Sequence, residues 1–126
     1  MSYEFPPLGG GGAKVVNGIA RRLADRGHDV DLITMGFRGL PATETTGRLK
    51  IRRVPGIRMR LSNCSAFEMI PYVLLAPFFV SREKASRYLI NHTHFIFPGG
   101  LIAYLLKRMR GIPYVITAHG SRIPAD

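Results

Sequence analysis

Four consecutive glycines, Gly9–Gly12, stand between Pro6-Pro7-Leu8 and a stretch of helical periodicity. This succession constrains the chain more than any other feature. Prolines and glycines at such density exclude regular structure over residues 6–12, because proline has no amide hydrogen to donate and glycine loses the most freedom on ordering. From Ala13 to Arg26, Val16, Ile19, Ala20 and Leu23 fall on one helical face, while Arg21, Arg22 and Asp25 point away. Gly27 stands where a left-handed C-terminal cap belongs. Asp29–Thr34 then reads as a short strand whose alternation fades into an apolar run, the pattern of a buried parallel strand.

The rest of the chain repeats the alternation. Gly36–Thr46 reads as a turn-rich loop, and Leu49–Val54 alternates apolar and basic residues, which predicts a strand with one wet face. Ser65–Tyr88 predicts helix, in one or two pieces broken near Pro71 and Pro77. Leu89–Phe95 is strand-like. Gly99–Arg110 carries the clearest helical pattern, with Leu101, Ile102, Leu105, Leu106 and Met109 on one side. Lys107, Arg108 and Arg110 in its last turn suit the helix dipole, and Gly111 and Pro113 end it. Tyr114–Ala118 reads as a buried strand leading to His119-Gly120-Ser121. Strands alternating with helices predict an α/β fold, a parallel sheet flanked by helices, as one domain over residues 1–126. Such a sheet starts with an apolar strand that runs into the glycine loop. Only Met1–Phe5 precedes the prolines, so the first strand is expected to be largely missing, with its tail present at most.

The formal charge of +10 is unevenly distributed. Residues 1–47 hold five basic and five acidic side chains, whereas residues 48–126 hold thirteen basic against three acidic. Arg48, Lys50, Arg52, Arg53, Arg58 and Arg60 form its densest part, a surface expected to attract nucleic acid, acidic lipid or a phosphorylated substrate. The single cysteine, Cys64, excludes an internal disulfide, suits a reducing compartment and reads as a small buried hydrophobe. Met1–Pro7 has neither the basic start nor the apolar stretch of a signal peptide. The apolar run Met69–Ser81 is interrupted by two prolines and falls short of the ~20 residues a spanning helix needs. A cytoplasmic protein is therefore expected, soluble or peripheral on the inner face of the membrane.

The glycine loop before a helix offers backbone N–H groups and partial positive charge, for which a phosphate or diphosphate is the natural ligand. Two sharper motifs fail on spacing. A nucleotide P-loop needs Gly-Lys-Ser/Thr, but Lys14 lies between Ala13 and Val15. A dinucleotide fingerprint needs G-x-G-x-x-G and an acid after the second strand. Gly9 and Gly11 lead instead to Lys14, and Thr34-Met35-Gly36 supplies no acid. His119 follows a strand, at the edge where ligands bind open α/β sheets, and could donate to a sugar hydroxyl or a phosphate oxygen. The alternative is a structural histidine at a strand end.

Three segments, in order, resemble one family. They are Tyr3-Glu4-Phe5-Pro6-Pro7-Leu8-Gly9-Gly10-Gly11-Gly12 with its helix and Gly27–Thr34; His94-Phe95-Ile96-Phe97-Pro98-Gly99-Gly100-Leu101; and Gly111–Ser121. Together they resemble the opening of family 4 glycosyltransferases of the GT-B fold, which pair two Rossmann-like domains across a cleft. The resemblance implies sugar transfer from a nucleotide-diphosphate sugar to a carbohydrate or lipid-linked acceptor, with retention of configuration. It implies no required metal and no cofactor beyond that co-substrate. It places Gly10, Gly11 and Gly12 against the donor diphosphate, His119 in the catalytic position near the donor sugar, and His94, Gly120 and Ser121 along the substrate cleft. The chain would be the acceptor-side domain, with the C-terminal donor domain outside it and little activity alone. Arg122 departs from the acid that many relatives carry after His-Gly-Ser.

Rival readings use the same residues. His92 and His94 share a strand face, which suggests a metal, but no further Cys, His or acid cluster completes a set of three or four ligands. Nucleic-acid binding rests on the basic excess, yet Phe78, Phe79, Phe95 and Phe97 sit in apolar runs rather than between basic residues as stacking platforms. Ala66–Val80 beside Arg82, Lys84 and Arg87 would lie on an anionic membrane surface, or else form a core helix.

Overall fold

A computed structural model of the chain describes residues 1–81 and 87–119. In chain order its elements are α1 (Gly11–Asp25), β1 (Val30–Met35), β2 (Thr43–Thr46), β3 (Leu49–Val54), α2 (Ala66–Ser81), β4 (Asn91–His94), α3 (Leu101–Arg110) and β5 (Tyr114–Thr117). The strands form one sheet in the order β1-β3-β2 and a second in the order β4-β5. β1 and β3 are parallel, with Val30 opposite Leu49 and Met35 opposite Val54. β4 and β5 are also parallel, with Asn91 opposite Tyr114 and His94 opposite Thr117.

The first residues lie between the two sheets and bond to both. Ser2 N–H donates to Ile33 O at 3.1 Å, the Met1 amine donates to His92 O at 2.8 Å, and His94 N–H donates to Met1 O at 3.0 Å. Met1-Ser2 is thus a short stub in the place of a central strand, the tail expected from the sequence. Parity shows which groups face it. Val30 N–H goes to Arg48 O and Asn91 N–H to Pro113 O. Asp31 and Ile33 on one side, and His92 and His94 on the other, therefore turn their backbone groups toward the gap. Ahead of Met1 the gap widens into a cavity of about 520 Å³, lined by Ile19, Leu23, Val30, Asn91 and Leu106 among others. Ile19 and Leu23 belong to the apolar face of α1 yet are only partly covered, because the cavity adjoins them.

Helices cover both faces. Val16 and Ala20 of α1 pack with Phe5, Leu32, Leu49 and Ile51. On the opposite face, Tyr72, Ala76 and Val80 of α2 and Ile102 and Leu106 of α3 pack with Ile33, Met35 and Val54. Successive β1 residues thus enter opposite cores, as the period of two requires. Gly27 has φ +94 and donates to Ala24 O, and Gly111 has φ +71 and donates to Lys107 O, so both are left-handed stops for the helices before them.

Several expectations are corrected. The loop expected over Gly36–Thr46 contains β2, paired antiparallel to β3. β3 has no wet face: it lies between β1 and β2 under the helices, and five of its six residues are buried. α2 runs unbroken through Pro71 and Pro77. Burial of Tyr72, Ala76 and Val80 offsets the two lost backbone bonds. At the start of α2, Ser65 and Glu68 exchange side-chain bonds to each other's amides. In α3 the buried residues are Ile102, Ala103 and Leu106, while Leu101 and Met109 are exposed. Among the described residues β5 is an edge strand with Val115 and Ile116 exposed, not a buried one. Cys64 is half-buried, with burial raising its thiol pKa.

Half of the basic cluster, Arg52, Arg53 and Arg58, is internal rather than a surface. Arg53 donates to Pro41 O and to Glu44 at 2.6 Å. Arg52 donates to Phe79 O and Tyr88 Oη, with Asp31 at 3.9 Å. Arg58, fully buried at its side chain, donates to Arg60 O, Leu61 O and Tyr3 O, with Glu4 at 3.9 Å. Arg48 pairs with Asp29 at the surface. Among the described residues no helix is long and apolar enough to cross a membrane. The outer side of α2 does expose Phe67, Ile70, Leu74 and Phe78.

Candidate functional site

The amino end of α1 and the carboxyl ends of β4 and β5 meet at one point. Gly9 has φ +85, and a Cβ there would collide with Glu4. Its N–H donates to Leu61 O at 2.7 Å, the same carbonyl that accepts from Arg58. Arg58 therefore ties the backbone at 60–61 both to Tyr3 and to the glycine loop. Gly10 precedes the helix, and its carbonyl accepts from Lys14 N–H at 3.4 Å. Among the described residues no side chain caps the first turn of α1.

The three glycines expected to meet a diphosphate differ in what surrounds them. Among the described residues, a Cβ at Gly10 or Gly11 would meet nothing within 4 Å. A Cβ at Gly12 would lie 2.7 Å from the Phe95 ring and 3.6 Å from His119 Cγ. Gly12 is therefore where the loop and the strand ends touch. The first turn of a helix carries amide N–H groups without intrahelical partners and a partial positive charge, which suit an anion beside Gly12.

His119 follows β5 and is half-buried. Its Nε2 lies 3.0 Å from Nδ1 of His94, the last residue of β4, and its ring stacks on His94 at 5.3 Å and tilts against Phe95 at 4.7 Å. His94 is 4% exposed, so it meets His119 rather than solvent. Behind it, His92 stacks at 4.3 Å and bonds through Nε2 to Thr117 Oγ1 at 2.7 Å. Phe95 has φ +72, a backbone region L-residues rarely adopt, and packs against Tyr3 with ring centroids 4.9 Å apart. Gly120 and Ser121 lie outside the described residues.

Burial dominates the electrostatics. It pushes the His94 imidazole down to about 3, assisted by His92, the Met1 amine and His119. The same burial lowers His92 and brings the Met1 amine down to about 5. Tyr3 is pushed up to about 12 by burial and by Glu4. At neutral pH the stack behind His119 is therefore uncharged, and its hydrogen-bond roles follow from tautomers alone. Among the described residues no group of three or more His, Cys, Asp or Glu is placed to hold a metal.

Sequence reasoning named His94, His119 and Gly12 but not their mutual contact. It also missed Phe95 as the wedge between loop and histidine, Thr117 as the anchor of His92, and Arg58 as the tie of the glycine loop. The in-register parallel pairing of β4 with β5 brings His94 beside Thr117. Assuming that register would have put His119 within reach.

Comparison with known proteins identifies the chain. It belongs to Glycosyltransferase Family 4, whose family model matches residues 9–124. It is 32% identical over 126 residues to the N-acetyl-alpha-D-glucosaminyl L-malate synthase of Bacillus anthracis, covering 94% of this chain and 30% of that protein. Sucrose-phosphate synthase from Thermosynechococcus elongatus shares the fold, with a TM-score of 0.71, 17% identity, and coverage of 95% of this chain and 32% of that one. A second structure from that enzyme gives a TM-score of 0.66 and 15% identity, covering 95% of this chain and 64% of that one. The chain thus spans about a third of the length of the full relatives. The α/β class expected from the sequence, with a parallel sheet flanked by helices as in GT-B proteins, holds.

Proposed function

We propose that these residues form the acceptor-side half of a glycosyltransferase cleft, in which a sugar passes from a nucleotide-diphosphate donor to a carbohydrate or lipid-linked acceptor with retention of configuration. The observation that carries the reading is the meeting of three features at one point in a member of this family. These are Gly10 and Gly11, whose Cβ positions meet no described atom, the packed Gly12, and His119 beside it.

The chemistry fits that arrangement. As the bond from the sugar's anomeric carbon to the diphosphate breaks, negative charge grows on the departing oxygens. Donors already aimed there lower the barrier without reorganising. The first-turn amides of α1 are such donors, and the Nδ1 side of His119 supplies another to a phosphate oxygen or sugar hydroxyl. The nucleotide pocket and the remaining diphosphate ligands belong to a donor-side domain beyond these residues, so turnover needs both halves. A cytoplasmic enzyme accords with the disulfide-free Cys64.

A second aspect concerns the acceptor. The exposed Phe67, Ile70, Leu74 and Phe78 along α2 support contact with a membrane surface that presents a lipid-linked acceptor. The nucleic-acid reading loses part of its support, because Arg52, Arg53 and Arg58 are buried and bonded within the fold.

The test is to titrate inorganic pyrophosphate into the isotope-labelled chain and follow amide signals by NMR. Shifts are expected at Gly10–Gly12 and at the His119 side chain. Gly11→Val should abolish them without loss of fold, because that Cβ meets no atom of the described residues. If those amides do not move at millimolar pyrophosphate, the diphosphate reading fails. In the enzyme carrying its donor-side domain, His119→Ala should lower turnover by roughly 10²–10³-fold, as for loss of one transition-state donor.

A further inference from the structure

We propose that His94 is a positioning residue for His119, fixing its ring through the Nδ1–Nε2 bond so that Nδ1 of His119 is the nitrogen presented beside the glycine loop. The inference rests on the reading of His119 as a ligand-facing group.

The geometry is that of a held ring. His119 is bonded at Nε2 by His94 at 3.0 Å, covered on one side by the Phe95 ring at 4.7 Å, and placed with Cγ 3.6 Å from where a Gly12 Cβ would stand. One nitrogen is thereby engaged inward, and the other is left for a ligand. His94 is itself immobilised. Its N–H donates to Met1 O, and its ring lies on His92, which is bonded to Thr117 on the neighbouring strand. A file of side chains thus runs from Thr117 through His92 and His94 to His119, across β4 and β5.

The environment also assigns the charge. The groups facing His94 are His92 on its own strand, the Met1 amine from the stub, and His119 after β5. With its ring buried among them, His94 stays neutral. The bond engages Nε2 of His119 with Nδ1 of His94, so Nδ1 of His119 is the nitrogen left to meet a ligand. A freely turning imidazole would sample several rotamers; the His94 bond and the Phe95 ring hold this one in a single orientation.

The experiment is a long-range ¹H–¹⁵N correlation of the imidazole nitrogens in the full chain, with pyrophosphate as the probe. His94→Asn places an amide near the former Nδ1 position, whereas His94→Gln reaches toward Nε2 and His94→Leu offers no partner. In the parent chain and in His94→Asn, His119 is expected to show unequal nitrogen shifts from a single tautomer. In His94→Gln and His94→Leu the two should move toward the averaged values of a free histidine, and the pyrophosphate response of His119 should weaken several-fold. Melting curves establish which variants remain folded. His119→Ala probes the same bond from the other side, since it should displace the His94 Nδ1 signal. Identical His119 nitrogen shifts in the parent, Gln and Leu chains would overturn the proposal, as would an unmoved His94 signal in His119→Ala. If the tautomer pattern behaves as expected while pyrophosphate moves no amide, the diphosphate reading falls and the role of His94 stands.

Discussion

The two ends of the same strands differ sharply. At the carboxyl ends of β4 and β5, Phe95, His94, His119 and Tyr3 form a continuous run of rings closed against Gly12. At the amino ends of β1 and β4, the sheets stand apart around a cavity of about 520 Å³, with Ile19 and Leu23 of α1 partly uncovered beside it. A single stub, Met1–Tyr3, takes part in both. Its backbone joins the sheets at the edge of the cavity, while the Tyr3 ring supports Phe95 at the candidate site. One short segment thus links the cavity to the candidate site.

The largest effect expected from this contrast is a pH dependence. The fold holds the Met1 amine neutral, with its pKa down from 8.0 to about 5, whereas the unfolded chain protonates it at the ordinary value. Stability is therefore full above pH 8 and is lost as pH falls toward 5, at about 1.4 kcal/mol for each pH unit crossed. His94 acts in the same direction, from 6.5 toward about 3, so loss continues into the acid range. Thermal melts across this window should show the decline, and Nα-acetylation should remove the part between pH 8 and pH 5. A flat profile would mean that the stub does not hold its amine in the gap.

Next in size is the cavity. An extension of alternating valine and isoleucine fused ahead of Met1 would lie along the backbone groups of Asp31 and His92. With about 1.5–3 kcal/mol for each aliphatic side chain buried, less the cost of ordering, a net gain of roughly 3 kcal/mol is expected. A glycine–serine extension of equal length should give no such gain, and equal melting temperatures for the two would show that the cavity does not receive a strand. At the packed end, Gly12→Ala must displace the Phe95 ring and should cost about 1–3 kcal/mol in chemical denaturation. Gly11→Ala should stay within about 0.5 kcal/mol. Smallest of all, Asp29→Asn removes the exposed pair with Arg48 and should change stability by less than about 0.5 kcal/mol.

What the sequence disclosed followed from periodicity. α1, β1, β3 and α3 lie close to their expected bounds because apolar spacing and the Gly27 and Gly111 stops are local signals. β2 was hidden because Thr43–Thr46 is short, polar and exposed on all four residues, held only by pairing with β3. The burial of Arg52 and Arg53 was equally illegible. Their partners Asp31 and Glu44 lie on other strands, and a charge in a strand pattern otherwise reads as facing water. For the candidate site, the residue types could be read but not their assembly. His94 and His119 stand 25 positions apart, and only the parallel register brings them together. The left-handed backbone of Phe95 carries no sequence mark, because such conformations are normally announced by glycine.

The buried Met1 amine also turns the chain into its own reporter. An acylating reagent at neutral pH reaches the exposed Lys14 freely, but it reaches the Met1 nitrogen only in the instants when the stub leaves the gap between the sheets. The ratio of the two labelling rates is therefore a clock for how often the sheet junction opens.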